Sequence, residues 1–160
     1  MKYLLSVLAL LALLAPMTMA QSILPSALPS DFFGMGMSWN PYSAPEVTGN
    51  ALYAHLITAG TYSFTLMDIT SKQVRPFVPM ATFTSGIAQH VRDLGPAKIF
   101  WVGTVGVSAG GNNVGWTWTT GGAVSFALGK GWVVMPCVRV LKSSVSEFQG
   151  VAGLIFGWGK

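Results

Sequence analysis

Residues 114–128 read VGWTWTTGGAVSFAL. Val114, Trp116, Trp118, Val124, Phe126 and Leu128 share one parity, while Gly115, Thr117, Thr119, Gly121, Ala123, Ser125 and Ala127 share the other. Only Thr120 and Gly122 weaken the first set. Successive side chains of a strand point to opposite faces, so a period of two predicts a β-strand with one bulky apolar face and one small polar face.

The same alternation recurs along the chain. Phe33, Met35, Met37 and Trp39 oppose Gly34, Gly36 and Ser38. Tyr62, Phe64 and Leu66 oppose Thr61, Ser63 and Thr65, and Ile99, Trp101, Val105 and Val107 oppose Phe100, Val102, Thr104, Gly106 and Ser108. Near the end, Ala152, Leu154, Phe156 and Trp158 alternate with Gly153, Ile155 and Gly157. With weaker segments at 49–58, 80–91 and 131–142, about eight strands are predicted between residues 31 and 160. The links near 39–49, 69–79, 109–113 and 143–149 read as mostly long, and those near 58–60, 92–96 and 129–131 as short. Consecutive antiparallel strands put odd and even links at opposite ends, so one end of the sheet is expected to be tight and the other to carry longer loops. Pro136 interrupts the seventh strand and predicts a bulge, because a closed sheet has no edge to excuse its missing N–H.

Composition decides which face meets solvent. The chain is 51% hydrophobic but only 9% charged, against about a quarter in soluble domains. A soluble barrel would show water an outer surface almost without Lys or Glu. It would also have to fit most of six Trp into an interior that eight strands leave just wide enough for side chains. Reversed, the bulky parity faces hydrocarbon and the small one fills the lumen. The expected fold is all-β: a closed antiparallel up-and-down transmembrane β-barrel of about eight strands. The charges agree with it. Arg92, Asp93 and Lys130 fall in short links, Lys98 and Lys142 at strand ends, and Lys72, Arg75 and Glu147 in long links. Asp68 is the exception by parity, but lies at a strand end. Trp39, Tyr62, Phe64, Trp101, Trp116, Trp118, Trp132, Phe156 and Trp158 are expected to face lipid or its interface, with Trp39, Trp132 and Trp158 placed as an aromatic girdle.

Residues 1–20 (MKYLLSVLALLALLAPMTMA) carry one positive charge, an apolar core and small residues at Thr18 and Ala20, the layout of a cleaved secretory signal peptide. Without Lys2, eight basic and five acidic residues remain, a net charge of about +3. No Lys/Arg run is present, so no nucleic-acid partner is expected. Residues 21–30 read as an irregular periplasmic lead-in and 31–160 as the barrel.

This pattern resembles the small eight-stranded outer-membrane barrels of Gram-negative bacteria, of the OmpA/OmpX-type architecture. The resemblance covers roughly 31–160 and includes the last strand, where Gly153, Phe156 and Trp158 look like the family's terminal assembly signal; here Gly159 and Lys160 follow the aromatic. It implies residence in the outer membrane, contact with its lipids, recognition by the outer-membrane assembly machinery, and a non-enzymatic role in envelope integrity or adhesion with at most a very narrow pore. Some barrels of that family are lipid-modifying enzymes using a His and a Ser, but no residue-by-residue match to them is present.

Few residues suggest chemistry. Tyr53, His55 and His90 share the parity assigned to the lumen, and neither His lies in a recognisable nucleophile–base motif. Both read as polar lumen fillers. Arg139 alternates with Met135, Cys137 and Leu141 on the inward parity, and a buried charge needs a partner. Asp68 or Glu147 would serve if a loop folded inward; lumen water is the alternative. One Cys and two His provide no metal-ligand cluster, and no cofactor motif is present. Two other readings stay open: a secreted soluble lipocalin-like binder of an apolar ligand, and a lipid-modifying barrel enzyme using His55 or His90.

Overall fold

The computed structural model describes residues 28–40, 47–71, 79–111, 113–144 and 146–160. The signal-peptide reading of 1–20 and most of the 21–30 lead-in lie outside the described residues. Eight strands run in chain order: β1 (Asp31–Trp39), β2 (Val47–Thr58), β3 (Thr61–Ser71), β4 (Pro79–Leu94), β5 (Ala97–Gly110), β6 (Asn113–Gly129), β7 (Trp132–Ser143) and β8 (Ser146–Gly159). Each pairs antiparallel with the next, and β8 returns to β1, closing the barrel. Closure runs from Phe32↔Gly159 to Trp39↔Ala152. Main-chain bonds Asp31 N–H to Lys160 O (3.2 Å) and Lys160 N–H to Asp31 O (3.0 Å) finish the seam. With no free edge, ladder amides and carbonyls are paired inside the protein, which a wall facing hydrocarbon requires.

The link pattern is sharper at one end than expected and blunter at the other. The strands leave only 59–60, 95–96 and 130–131 at the tight end, where Gly60, Gly95, Lys130 and Gly131 all have positive φ. That is the geometry of two-residue hairpins. Arg92 and Asp93 are therefore not in a link: they belong to β4, opposite Ile99 and Lys98, past a register shift at Val91. At the other end, 40–46 and 72–78 are long, but 111–112 and 144–145 are as short as the tight turns. Gly110 and Asn113 extend β5 and β6, and residues 146–149 extend β8, into stretches that turn-like Gly, Asn and Ser residues suggested were links.

Pro136 makes no bulge. Ala123↔Cys137 and Phe126↔Val134 keep one register on either side of it, and the ladder to β6 lapses only over the two intervening positions. Pro136 still pairs in register with Leu154 of β8. The missing donor is absorbed by a local gap on one side, with no extra residue. Glycine permits close approach elsewhere: a Cβ on Gly106 would collide with the Phe83 carbonyl of β4, so only Gly lets β4 and β5 coil this tightly.

The lumen has two tiers. Toward the tight turns it is hydrocarbon: Phe32, Leu52, Tyr62, Phe64, Leu66, Phe100, Met135 and Ile155 belong to one buried cluster. Toward the long links it is polar, with Ser38, Asn50, Asp68, Thr82, Thr84, Thr104, Thr119 and Arg139 buried. The outer wall is apolar and exposed, including Met35 (62%), Val105 (69%) and Val138 (62%).

Candidate functional site

Arg139 of β7 and Asp68 of β3 meet across the polar tier. The Arg139 guanidinium donates from Nη1 to Asp68 Oδ2 at 3.0 Å and from Nη2 to Asp68 Oδ1 at 3.3 Å, with a weaker bond from Nη2 to Ser38 Oγ at 3.4 Å. Their side chains are only 4% and 5% exposed. This two-pronged geometry is the strong form of a carboxylate–guanidinium pair. Asn50 adds its amide N–H to Asp68 Oδ1. Asp68 reaches Arg139 from the barrel wall itself, and it is no exception by parity, because its parity is the lumen's. Glu147's side chain lies outside the described residues.

Around the pair, the Oγ1 atoms of Thr82, Thr84, Thr104 and Thr119, together with Asn50 Oδ1 and Arg139 Nε, have no hydrogen-bond partner among the described residues. Buried polar atoms of this kind are normally satisfied by ordered water. Ser108 and Ser143 bond each other, and Thr48 bonds Thr70 at 3.0 Å. The polar tier is thus a cross-braced compartment resting on the apolar tier. The void within the latter, lined by Ala54, Tyr62, Phe64, Phe100 and others, measures only about 10 Å³.

The tight-turn mouth carries a separate pocket of about 380 Å³ bordered by Leu28, Leu56, Tyr62, His90, Lys98 and Phe100. Tyr62 donates its hydroxyl to the Leu28 carbonyl at 2.9 Å, tying the lead-in beneath the barrel. His90 has the lumen-side parity of Thr82 and Thr84, and its Nε2 lies 3.1 Å from Asp93 Oδ1; Lys98 Nζ lies 3.8 Å from the same oxygen. The His90 ring and the Lys98 ammonium thus share the Asp93 carboxylate at this rim. Among the described residues, no group of three His, Cys, Asp or Glu is placed to hold a metal ion.

Two of the expected lumen residues are on the wrong side. Tyr53 and His55 project from the outer wall, because the inward parity of β2 is that of Thr48, Asn50, Leu52 and Ala54. The error in β3 is the converse: Tyr62 and Phe64, expected to face lipid, are buried in the lumen at 5% exposure. There they fill the apolar tier, and Thr61, Ser63 and Thr65 take the outside. On the outer wall, the Tyr53 hydroxyl donates to Asp31 Oδ1 at 2.8 Å, and His55 Nδ1 lies 2.8 Å from that oxygen. Sequence reading offered Asp68 as a partner for Arg139 but only through an inward-folding loop, and it missed Asp31 as a partner for His55; the signal that Asp68 faces the lumen was Thr70 and Asn50, polar residues that share the inward parity.

All six Trp project outward. Trp39, Trp116 and Trp118 lie toward the long links, the last edge-to-face with Phe148 at 6.1 Å. Trp132 stacks on Phe156 at 5.2 Å, and Lys160 Nζ lies 5.9 Å over the Trp158 ring at the tight-turn end. Trp101 lies between these groups.

A closed eight-stranded antiparallel barrel with an apolar outer wall and a filled lumen is the architecture of transmembrane β-barrels of the OmpX/OmpA type. The Yersinia pestis outer membrane protein Ail, in a phospholipid bilayer nanodisc, is similar in structure: TM-score 0.56, 9% sequence identity, covering 81% of this chain and 99% of Ail. A structure from the de novo design of transmembrane β-barrels is also similar, at TM-score 0.50 and 9% identity over 81% of this chain and 96% of the design. No family model matches the chain, and no curated protein matches it by sequence.

Proposed function

We propose that this chain is an integral protein of the bacterial outer membrane, exported by residues 1–20, whose barrel serves as a wall element of the envelope with a structural or adhesive role. The observation that carries this reading is the outer wall: apolar side chains such as Phe33, Met37, Phe83, Val107 and Leu154 are about half exposed or more, all around the barrel. An apolar surface of that extent is unusual on a soluble monomer. Among the described residues no Lys, Arg, Asp or Glu projects from the middle of that wall. There each Lys or Arg would cost about 2–4 kcal/mol in a bilayer. Aromatic pairs at both ends fit the two interfaces of such a membrane, with the tight turns toward the periplasm. The assembly machinery would engage β8, whose Leu154, Phe156 and Trp158 form one outward row.

The filled apolar tier argues against a solute path. A soluble binder of an apolar ligand would need the opposite facing, with its bulky side chains lining a cavity. Cell fractionation tests the reading. The chain should leave the envelope only with detergent and should migrate differently on gels before and after heating. Recovery as a soluble periplasmic monomer would overturn it.

A further inference from the structure

The mouth of the barrel at the tight turns is a cavity with two chemically different ends. Its volume of about 380 Å³ falls within the range of small-molecule sites, about 300–1,000 Å³. Leu28, Leu56, Tyr62 and Phe100 give it apolar walls, and His90 and Lys98 stand at its edge. Leu28, Tyr62 and Phe100 also line the void of about 10 Å³ inside the apolar tier, so the inner end of the cavity is hydrocarbon. The outer end carries charge. Lys98 shares the inward parity of Phe100 and Val102 in β5, so its stem borders the cavity while the ammonium reaches toward water. The carboxylate oxygen it faces, Asp93 Oδ1, is 3.8 Å away, beyond the about 2.7–2.9 Å of a charge-assisted hydrogen bond. That same oxygen already has the His90 ring at 3.1 Å. An ammonium has three donors, and Lys98 therefore keeps them for an anion that enters the cavity.

We propose that this mouth binds a single-chain fatty acid as its carboxylate, with the tail against the apolar tier and the head on Lys98. The proposal rests on the membrane reading above, which sets the mouth at the periplasmic face. Three observations select the ligand. The first is size: a heavy atom with its hydrogens takes about 30 Å³ in a liquid such as water, so the cavity holds about a dozen. That is one acyl chain, without room for a second chain or a glycerophosphate head. The second is charge. One ammonium with the Asp93 carboxylate beside it suits a single negative charge, whereas a phosphate dianion would meet stronger repulsion from Asp93. The third is the gradient from hydrocarbon inside to a cation outside, which fixes the direction of an amphiphile and lets burial of its chain drive binding.

The lead-in forms one wall of the site. Tyr62 holds the Leu28 carbonyl, and the Leu56 N–H donates to the Ser30 carbonyl at 2.7 Å, so Leu28 is tied across the mouth from two strands. The rings of Tyr62 and His90 each pack against Phe100, with centroids 5.8 and 5.6 Å apart, which sets the opposite wall. Beyond these rings the apolar tier stops the tail, because the void there is too small for further chain. The ligand is held at the mouth and is not passed along the lumen. Hydrolysis of the ester bonds of membrane lipids is the class of reaction that supplies such a ligand.

The experiment uses the full chain folded into phosphatidylcholine vesicles, with heat-modifiable mobility confirming insertion for every variant. Dodecanoic acid carrying a diazirine near its methyl end is photolysed with the barrel, and adducts are mapped by mass spectrometry. Adducts are expected on Tyr62, Phe100 and Met135 in the lumen. Unlabelled dodecanoate should displace these, while adducts on the outer wall, formed by probe dissolved in the bilayer, persist. Lys98→Met should raise the dodecanoate needed for displacement about tenfold, and Lys98→Arg should restore it. Leu56→Trp, which fills the cavity and leaves the charge in place, should remove the lumen adducts. An inserted barrel labelled only on its outer wall overturns the proposal and leaves the membrane reading standing. Displacement by dodecanol as effective as by dodecanoate, or unchanged in Lys98→Met, overturns the carboxylate contact. Stronger displacement by a lysophosphatidylglycerol of the same chain length overturns the choice of fatty acid. A chain that never enters the vesicles overturns both readings.

Discussion

The two tiers of the lumen face the same axis and are built by the same strands, yet they are stabilised by different physics. Along the inward face of β3 the chain changes from Tyr62, Phe64 and Leu66 to Asp68 and Thr70; along β7 it changes from Val133, Met135 and Cys137 to Arg139. The boundary falls at one level in both strands. Below it, burial of hydrocarbon and close packing fill the barrel. Above it, hydroxyls and one ion pair predominate beside Met80, Leu141 and Val151, and the polar contacts contribute only while each partner is present. One sealed tier is enough to fill a barrel of this bore; the other is free to be polar, and the bidentate pair ties β3 to β7 across the bore.

The contrast predicts a graded response to substitution, readable by urea unfolding of the barrel in micelles. Asp68→Ala should have the largest effect, about 3–5 kcal/mol, because it leaves the Arg139 guanidinium buried without its counter-charge. Replacing both partners, as Asp68→Leu with Arg139→Met, should recover most of that loss. A double variant as unstable as Asp68→Ala would show that the pair is more than a mutual neutralisation. Leu52→Ala, at 0% exposure in the apolar tier, should cost about 2–5 kcal/mol through lost burial and the cavity left behind. Thr84→Val should be the mildest, within about 1 kcal/mol, since its hydroxyl has no protein partner among the described residues. A loss at Thr84 as large as at Leu52 would erase the distinction between the tiers.

Legibility followed the same division. β6 could be read directly because its inward residues are small and its outward ones bulky, so parity and size agree. β3 could not, since Tyr62, Phe64 and Leu66 are bulky and inward: the rule that bulk faces lipid fails where the apolar tier demands large side chains. Polarity was the better guide in these strands. A carboxylate at Asp68 and an amide at Asn50, several residues inside their strands, are costly on a lipid face, and either one assigns its parity to the lumen. That assignment would have moved Tyr62 and Phe64 inward and Tyr53 and His55 outward. Arg139 was legible as inward from Met135, Cys137 and Leu141, but its partner is 71 residues away in sequence and was fixed only by the register of the closed sheet. The contact of Asp31 with His55 was hidden for the same reason, because only strand pairing aligns the two.

The outer wall bears all six Trp and, on the membrane reading, is immersed in lipid. Tryptophan fluorescence of the full chain refolded into vesicles whose acyl chains carry bromine at defined depths measures this directly. Strong quenching is predicted, with the ring-substituted ends of the wall (Trp39, Trp116, Trp132, Trp158) responding most to shallow bromines and Trp101 to deeper ones in single-Trp variants. Emission that is indifferent to brominated lipid would contradict the account.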